Sequence, residues 1–357
     1  MKRTIVMLVC AAAVLLTATA VAQEGEASDS SDSLLVTARS LFEPIPQEAP
    51  DLAGNEYSDA KELLGRSLFF DPRLSSSWFI SCNSCHNVGT AGVDLQPRSI
   101  GHAWQRGGRN SPTVLNAVFN IAQFWDGRAE DLAAQAMGPI QDALEMNNTP
   151  ERVISTLASM PGYVDMFADA FPEEEDPVTF ENIALAIEVF ESTLITPDSP
   201  FDQYLEGDTD ALTAEEKEGL NLFVRRGCAA CHQGINVGGQ GYFPFGVVEQ
   251  PDAEVLPHGD VGRFGVTDVE SDRYSFKSPT LRNIALTPPY FHSGVVWDLE
   301  EAVRIMGSAQ LGTELTENEV QSITLFLHTL TGEQPLVTIP EMPAVTPATP
   351  RPEPMSR

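Results

Sequence analysis

The chain has 357 residues, long enough for two domains with substantial cores. Its 51 acidic residues against 21 basic ones leave a net charge of −30, which argues against any nucleic-acid partner. An acidic surface attracts basic proteins, but scattered acids serve solubility first, and charge alone locates no docking patch.

The first 22 residues read as a secretory leader. Lys2 and Arg3 supply its positive end, Ile5 to Leu16 its apolar run, and Ala20-Val21-Ala22 a small-residue cleavage site before Gln23. The run is short for a membrane span, and Val9 before Cys10 is not the small residue of a lipoprotein site. No later segment looks transmembrane. A periplasmic protein without a membrane anchor, cleaved after about Ala22, is therefore expected. Residues 23–41 begin acidic and serine-rich and are expected to form a flexible linker.

Two domains follow, expected at 42–196 and 197–333. Each carries one Cys-x-x-Cys-His motif: Cys82-Asn83-Ser84-Cys85-His86 and Cys228-Ala229-Ala230-Cys231-His232. This spacing is the attachment signature of c-type haem: the cysteines form thioethers and the histidine becomes the proximal iron ligand. A zinc site would usually want more cysteines, and a redox dithiol needs no histidine. Of five cysteines, Cys10 leaves with the leader and the other four all belong to these motifs, so none is left for a disulfide.

The order of features repeats. Gly65-Arg66-Ser67-Leu68-Phe69 precedes the first motif, and Gly219-Leu220-Asn221-Leu222-Phe223 the second. Ser111-Pro112-Thr113 leads to Phe124-Trp125-Asp126-Gly127, and Ser278-Pro279-Thr280 leads to Phe291-His292-Ser293-Gly294. Helices then start near Asp131-Leu132 and Asp298-Leu299. Thr213-x-x-Glu216 and Thr316-x-x-Glu319 are capping boxes, and Thr149-Pro150 is a cap followed by a first-turn proline. Val320, Ile323, Leu327 and Leu330 recur at helical spacing, and Phe180 to Leu194 does likewise. The expected fold is mainly α: two cytochrome-c-like haem domains, read as a duplication, with long loops and little sheet. The proline-rich tail, 334–357, is expected to be disordered.

The sixth iron ligands decide the chemistry. Met306, on the helix after Asp298, reads equally well as a ligand of the second haem and as a core methionine. In the first domain the repeat brings Met137-Gly138 near the position of Met306-Gly307, while His102 in the loop after the motif is a second candidate; symmetry does not decide between them. A carboxylate over an open haem face could move the proton that peroxide cleavage requires. Glu145 and Gln135 lie in this domain, although most glutamates in so acidic a chain are solvated.

From Phe42 to about Gly332 the chain resembles the bacterial di-haem cytochrome-c peroxidases. The likeness is carried by Leu68-Phe69-Phe70-Asp71-Pro72-Arg73-Leu74, Asn110-Ser111-Pro112-Thr113, Gln123-Phe124-Trp125-Asp126-Gly127-Arg128 and Pro289-Tyr290-Phe291-His292-Ser293-Gly294, with both haem motifs in order. The resemblance implies a low-potential peroxidatic haem on His86, with His102 as a displaceable distal ligand, in preference to Met137. It implies Glu145 as acid/base catalyst and Gln135 as its polar neighbour. It further implies a high-potential haem on His232 and Met306 that receives electrons, and Trp125 as a stepping stone between the haems. Asn110, Thr287 and Pro289 match an inter-domain calcium site, for which carbonyl and amide oxygens suit a hard cation. His292 lies beside it without an assigned role. The implied partners are hydrogen peroxide, a small electron donor such as cytochrome c or a cupredoxin, and a second copy of the chain in a homodimer. Two competitors are a related di-haem oxidase that modifies another protein's side chains, whose members carry tyrosine where this chain has Met306, and a di-haem electron carrier with both irons saturated.

Overall fold

A computed structural model describes residues 33–353. The expected leader, its cleavage site and the start of the acidic stretch lie outside the described residues. The described chain is mainly helical. In chain order the helices are α1 (33–41), α2 (Asp59–Phe70), α3 (Cys82–Cys85), α4 (Leu132–Gln141), α5 (Pro150–Ala158), α6 (Pro161–Ala170), α7 (Phe180–Ser192), α8 (Pro200–Glu206), α9 (Ala214–Arg225), α10 (Phe264–Thr267), α11 (Leu299–Leu311) and α12 (Glu317–His328). The sheet is one antiparallel pair, β1 (Tyr242–Pro244) and β2 (Ser275–Lys277), with Phe243 opposite Phe276.

Local chemistry sets the helix starts. Ser58, Asp131, Thr149, Thr179, Ser199, Thr213, Asp298 and Thr316 each accept a backbone N–H of the first turn that would otherwise lack a partner. Both capping boxes anticipated at Thr213 and Thr316 form, and Pro150 occupies a first-turn position after Thr149.

Two cores form by the same contact. In the first, α2 lies against α7, burying Leu64, Leu68 and Phe69 with Ile183, Ile187 and Phe190. In the second, α9 lies against α12, burying Leu220 and Phe223 with Ile323 and Phe326. Gly65 and Gly219 allow the close approach: a Cβ at Gly65 would collide with the Ala186 carbonyl, and one at Gly219 with the Ser322 carbonyl. Gly65→Ala and Gly219→Ala should therefore each cost at least the roughly 1–3 kcal/mol typical of overpacking, since backbone rather than a flexible side chain must move. Thermal unfolding of the two variants, compared with Gly108→Ala where a Cβ meets open space, checks this.

The junction between the halves is also symmetric. Asn116 and Asn283, both fully buried with left-handed φ of 59° and 61°, donate their side-chain amides to Thr196 Oγ1 at 2.7 and 2.9 Å. Their backbone N–H groups reach Leu194 O and Leu330 O at 2.8 and 3.0 Å.

The ends of the chain depart from expectation. Residues 33–41, assigned to the flexible linker, are helical, and Leu35 and Ala38 pack with Phe42 into the second core against Phe201 and Phe223. Arg282 donates to Glu43 O at 2.9 Å, and the Ile45 N–H donates to Asp202 Oδ1 at 3.2 Å, so residues 42–45 also join the second half rather than the first. The proline-rich tail, expected to be disordered, is laid along the first half as far as Glu353. Val337 and Met342 pack on the first core, and Arg73 donates to Pro343 O at 2.7 Å. Arg152 pairs with Glu353 at 3.0 Å, and the Glu353 N–H donates to Ser76 O at 2.8 Å. An extended proline-rich chain leaves its carbonyls free, and arginines of the domain take them. Composition could not reveal those partners.

Candidate active site

The first Cys-x-x-Cys-His segment is the short turn α3, capped by a Ser81–Ser84 box, with the His86 N–H bonded to Cys82 O at 2.9 Å. His86 Nδ1 lies 3.0 Å from the Pro112 carbonyl. A carbonyl only accepts, so Nδ1 carries the proton and Nε2 keeps its lone pair for a metal. Loss of bulk water lowers the His86 pKa, with the Pro112 carbonyl opposing. A small cavity here is walled by Cys82, Cys85, His86, Gln135, Pro139, Glu145, Ile187 and Glu191. Cys82, His86, Gln135 and Glu145, widely spaced in sequence, thus meet around one space. Burial, and then the nearby Asp142, raise the Glu145 carboxyl above its ordinary pKa, while Arg128 opposes.

His102 stands beside this cavity. Its N–H donates to the Glu145 carbonyl at 2.7 Å, and its Nδ1 lies 3.4 Å from Ser76 Oγ. The two residues after it, Ala103 and Trp104, have left-handed φ of 54° and 63°. Such conformations are costly for side-chain-bearing residues and concentrate strain on the loop that carries the histidine.

The second motif borders a cavity of about 230 Å³. Cys228, Cys231, His232, Phe223, Val303, Met306, Ile323 and Leu327 line it. His232 is buried, and burial pushes its imidazole down to about 4, so the ring is neutral. Burial pushes the Cys228 thiol up to about 11 and the Cys82 thiol higher still. Walls this buried and apolar fit uncharged thioethers and a planar apolar macrocycle. The same cavity has one lysine and no carboxylate in its wall: Lys277 on β2, buried, without an acidic partner among the described residues and pushed down to about 8 by desolvation.

The halves align in sequence register from their helix caps but differ at the decisive positions. Asp131 caps α4 as Asp298 caps α11. Counted from these caps, Leu132 answers to Leu299, Gln135 to Ala302, Ala136 to Val303 and Pro139 to Met306. The cavity walls follow the same register, with Gln135, Ala136 and Pro139 in one and Ala302, Val303 and Met306 in the other. The expectation that Met137 falls near the position of Met306 is therefore corrected. Met137 is outside the cavity wall and packs on the first core. The position in the first cavity wall that matches Met306 is Pro139, which has no side-chain donor for iron.

Between the halves, Trp125 donates its indole N–H to Asn110 O at 2.9 Å and stands edge-on to His292 at 6.1 Å. Asn110, Thr287 and Pro289, like Trp125 and His292, border the 230 Å³ cavity. The Asn110 side-chain N–H donates to Gln96 O at 2.9 Å, which leaves its amide oxygen free to face a cation. Among the described residues no group of three or more His, Cys, Asp or Glu is arranged to hold a metal, so any cation here would rest on amide and carbonyl oxygens. His292 is buried, stacked on Phe276 at 4.2 Å, and pushed down to about 4 by burial. Arg109 clamps the halves together beside it, bonded to Asp126 of the first and bidentately to Asp260 of the second at 2.6–2.7 Å.

Sequence reasoning missed Lys277, Glu191 and Arg109. Lys277 could have been found from the repeat, since it precedes Ser278-Pro279-Thr280 as Asn110 precedes Ser111-Pro112-Thr113. Glu191 was visible only as an acid on the apolar face that carries Ile187 and Phe190.

Known proteins resemble this chain over most of its length. The sequence model of the family described as di-haem cytochrome c peroxidase matches residues 59–210. The chain is 59% identical over 321 residues to the cytochrome c551 peroxidase of Pseudomonas aeruginosa, covering 90% of this chain and 93% of that one. It is 48% identical to the cytochrome c551 peroxidase of Nitrosomonas europaea, covering 90% and 92%. Among solved structures, a MauG-like protein associated with microbial copper homeostasis superposes with a TM-score of 0.72 at 29% identity, covering 81% of this chain and 95% of that one. No helix among the described residues is long and apolar enough to cross a membrane.

Proposed function

The chain belongs to the di-haem cytochrome c peroxidase family, and on that premise we propose a division of labour between its two haem sites. It is an oxidoreductase that carries two c-type haems and acts on hydrogen peroxide. Cys82 and Cys85 would hold one haem with His86 as proximal ligand, and Cys228 and Cys231 the other with His232. The bound haems supply the iron that meets peroxide and the redox steps that carry its two electrons.

The observation that carries the division is the exchange of Met306 for Pro139 at matched positions, with Gln135 and Glu145 joining Pro139 in the first cavity wall. A thioether at Met306 would complete the second site and keep it a high-potential relay. In the first cavity the matched position offers nothing, and His102 would fill it only reversibly. The strained turn at Ala103 and Trp104 supports a loop that can let His102 leave. Glu145, raised in pKa by burial, would take the proton from the near peroxide oxygen and return it to the far one, which departs as water. Gln135 would orient the peroxide. Trp125 would carry electrons between the sites. Lys277, a buried cation without an acidic partner, would pair with a propionate of the second haem.

Calcium at Asn110, Thr287 and Pro289 would tie the halves where Arg109 also clamps them, coupling reduction at one site to loop movement at the other. Electrons would come from a small basic cytochrome c or a cupredoxin drawn by the acidic surface. Periplasmic residence after leader cleavage near Ala22 and a homodimeric assembly complete the proposal.

The test is peroxide reduction by the holoenzyme with a reduced small cytochrome, before and after prior one-electron reduction, with calcium and with a chelator. Turnover that is highest in the half-reduced, calcium-loaded protein is expected. A first haem that stays six-coordinate and inert to peroxide under every condition would leave only an electron carrier. Met306→His should sharply lower the midpoint potential of the second haem in a redox titration, and an unchanged potential would remove Met306 as a ligand.

A further inference from the structure

The halves differ at a second matched position in the cavity walls. Gly65 packs on Ala186 and Phe190 of α7, and Gly219 packs on Ser322 and Phe326 of α12. Asn116 bonds Leu194 O as Asn283 bonds Leu330 O. These pairs set α7 and α12 in one register, in which Ile187 answers to Ile323 and Glu191 to Leu327. All four residues line their respective cavities. Where leucine walls the second haem cavity, a carboxylic acid walls the first.

Glu191 is 5% exposed, and its carboxyl has no hydrogen-bond or cationic partner among the described residues. Its surroundings explain why. On α7 itself Glu188 repels it, while the Glu188 carboxyl is engaged by Asn55 at 2.8 Å. From α2, Glu62 and Arg66 pair with each other and Lys61 binds Asn55. The α4 helix carries no charged side chain, and Asp131 at its start acts on Glu188. From α5, Glu151 is exposed and Arg152 is committed to Glu353. Facing the cavity are the Cys82 sulfur, on which Glu191 acts directly, and Glu145. A buried acid with no partner is costly unless its charge or its proton answers to something in the cavity. Here that something would be the haem that Cys82 would hold.

We propose that Glu191 is the redox-linked proton site of the first haem, taking up one proton from water when that haem is reduced and releasing it on reoxidation. The added electron removes one positive charge from the haem, and protonation of the carboxylate beside it removes the matching negative charge. Electrons and protons therefore move together, one to one. Burial and Glu188 push the carboxyl up to about 8, so both of its states are reachable near neutral pH. The consequence extends the peroxidase reading. Reduction of peroxide to two waters consumes two protons with its two electrons, and Glu191 would take up one proton as an electron reaches the first haem.

The test is a spectroelectrochemical titration of both haems in the holoenzyme across neutral and mildly alkaline pH. It uses no peroxide, so it can succeed or fail independently of the peroxidatic assignment. The midpoint of the first haem should fall as pH rises toward about 8, approaching one proton per electron, while the second haem, whose wall carries Leu327 and the titrating Lys277, is compared only between wild type and variant. Glu191→Gln should abolish this slope at the first haem and leave the second unchanged. Glu191→Leu, which installs the residue of the other half, should abolish it too. A pH-independent first haem in the wild type, or a slope that survives in Glu191→Gln, overturns the proposal.

Discussion

Glu145→Gln should lose about 10²- to 10⁴-fold in peroxide turnover, the range over which a positioned proton-transfer group contributes. The substitution preserves shape. The backbone of residue 145 keeps its bonds, the N–H to Asp142 O at 3.1 Å and the carbonyl to the His102 N–H at 2.7 Å, so the loop that carries His102 is not disturbed. What disappears is the ability to accept a proton and return it. Both haems should remain attached, with unchanged absorption in the oxidised state, and peroxide should still bind after reductive activation. Steady-state turnover with a haem-content control checks this. Retained turnover would exclude Glu145 as the proton carrier and direct attention to other groups of the cavity.

The second large effect is on stability. Arg282 and Asp202 form an ion pair at 2.7 Å with side chains only 1% and 2% exposed. Arg282 also donates to Ile235 O and Glu43 O at 2.9 Å, and Asp202 accepts from the Ile45 and Ser199 N–H groups. Asp202→Ala leaves a guanidinium buried without its counter-charge, a situation that costs about 3–5 kcal/mol. Thermal unfolding should shift down by roughly 10 °C. The double variant Asp202→Leu with Arg282→Met, which removes both charges and refills the volume, should recover much of the loss. A small effect of Asp202→Ala alone would mean that water reaches Arg282.

Features that rest on neighbouring residues could be read from the sequence. The two haem turns, the capping boxes at Thr213 and Thr316, the order of the repeat and the mainly helical fold all follow from short-range spacing, and the structure has them. Matching like residues by identity pairs Met137 with Met306. The helix caps Asp131 and Asp298 count more strictly, and they pair Met306 with Pro139. Lys277 and Glu191 escaped notice because exposure is decided by tertiary packing, and a charged residue on a mixed helix or strand is ordinarily solvated. The tail was misread for a related reason. Proline-rich composition excludes helix and sheet but says nothing about whether arginines elsewhere, here Arg73 and Arg152, will seize its carbonyls and carboxylate.

The exchange of terminal segments bears on how the molecule is made and taken apart. The first described segment, with Leu35, Ala38 and Phe42, belongs to a core that is completed only when Ile323 and Phe326 have been synthesised. Early in synthesis it therefore has nothing to fold against, although domains ordinarily fold in order from the N-terminus. The last described segment, through Glu353, returns to cover the half that was made first. Cleavage near Thr196 would thus release no independent module, because each fragment would carry the other's covering piece. The Glu353 N–H reaches Ser76 O, and Ser76 touches the His102 ring, so a change in this last described segment would be felt by the loop that carries His102.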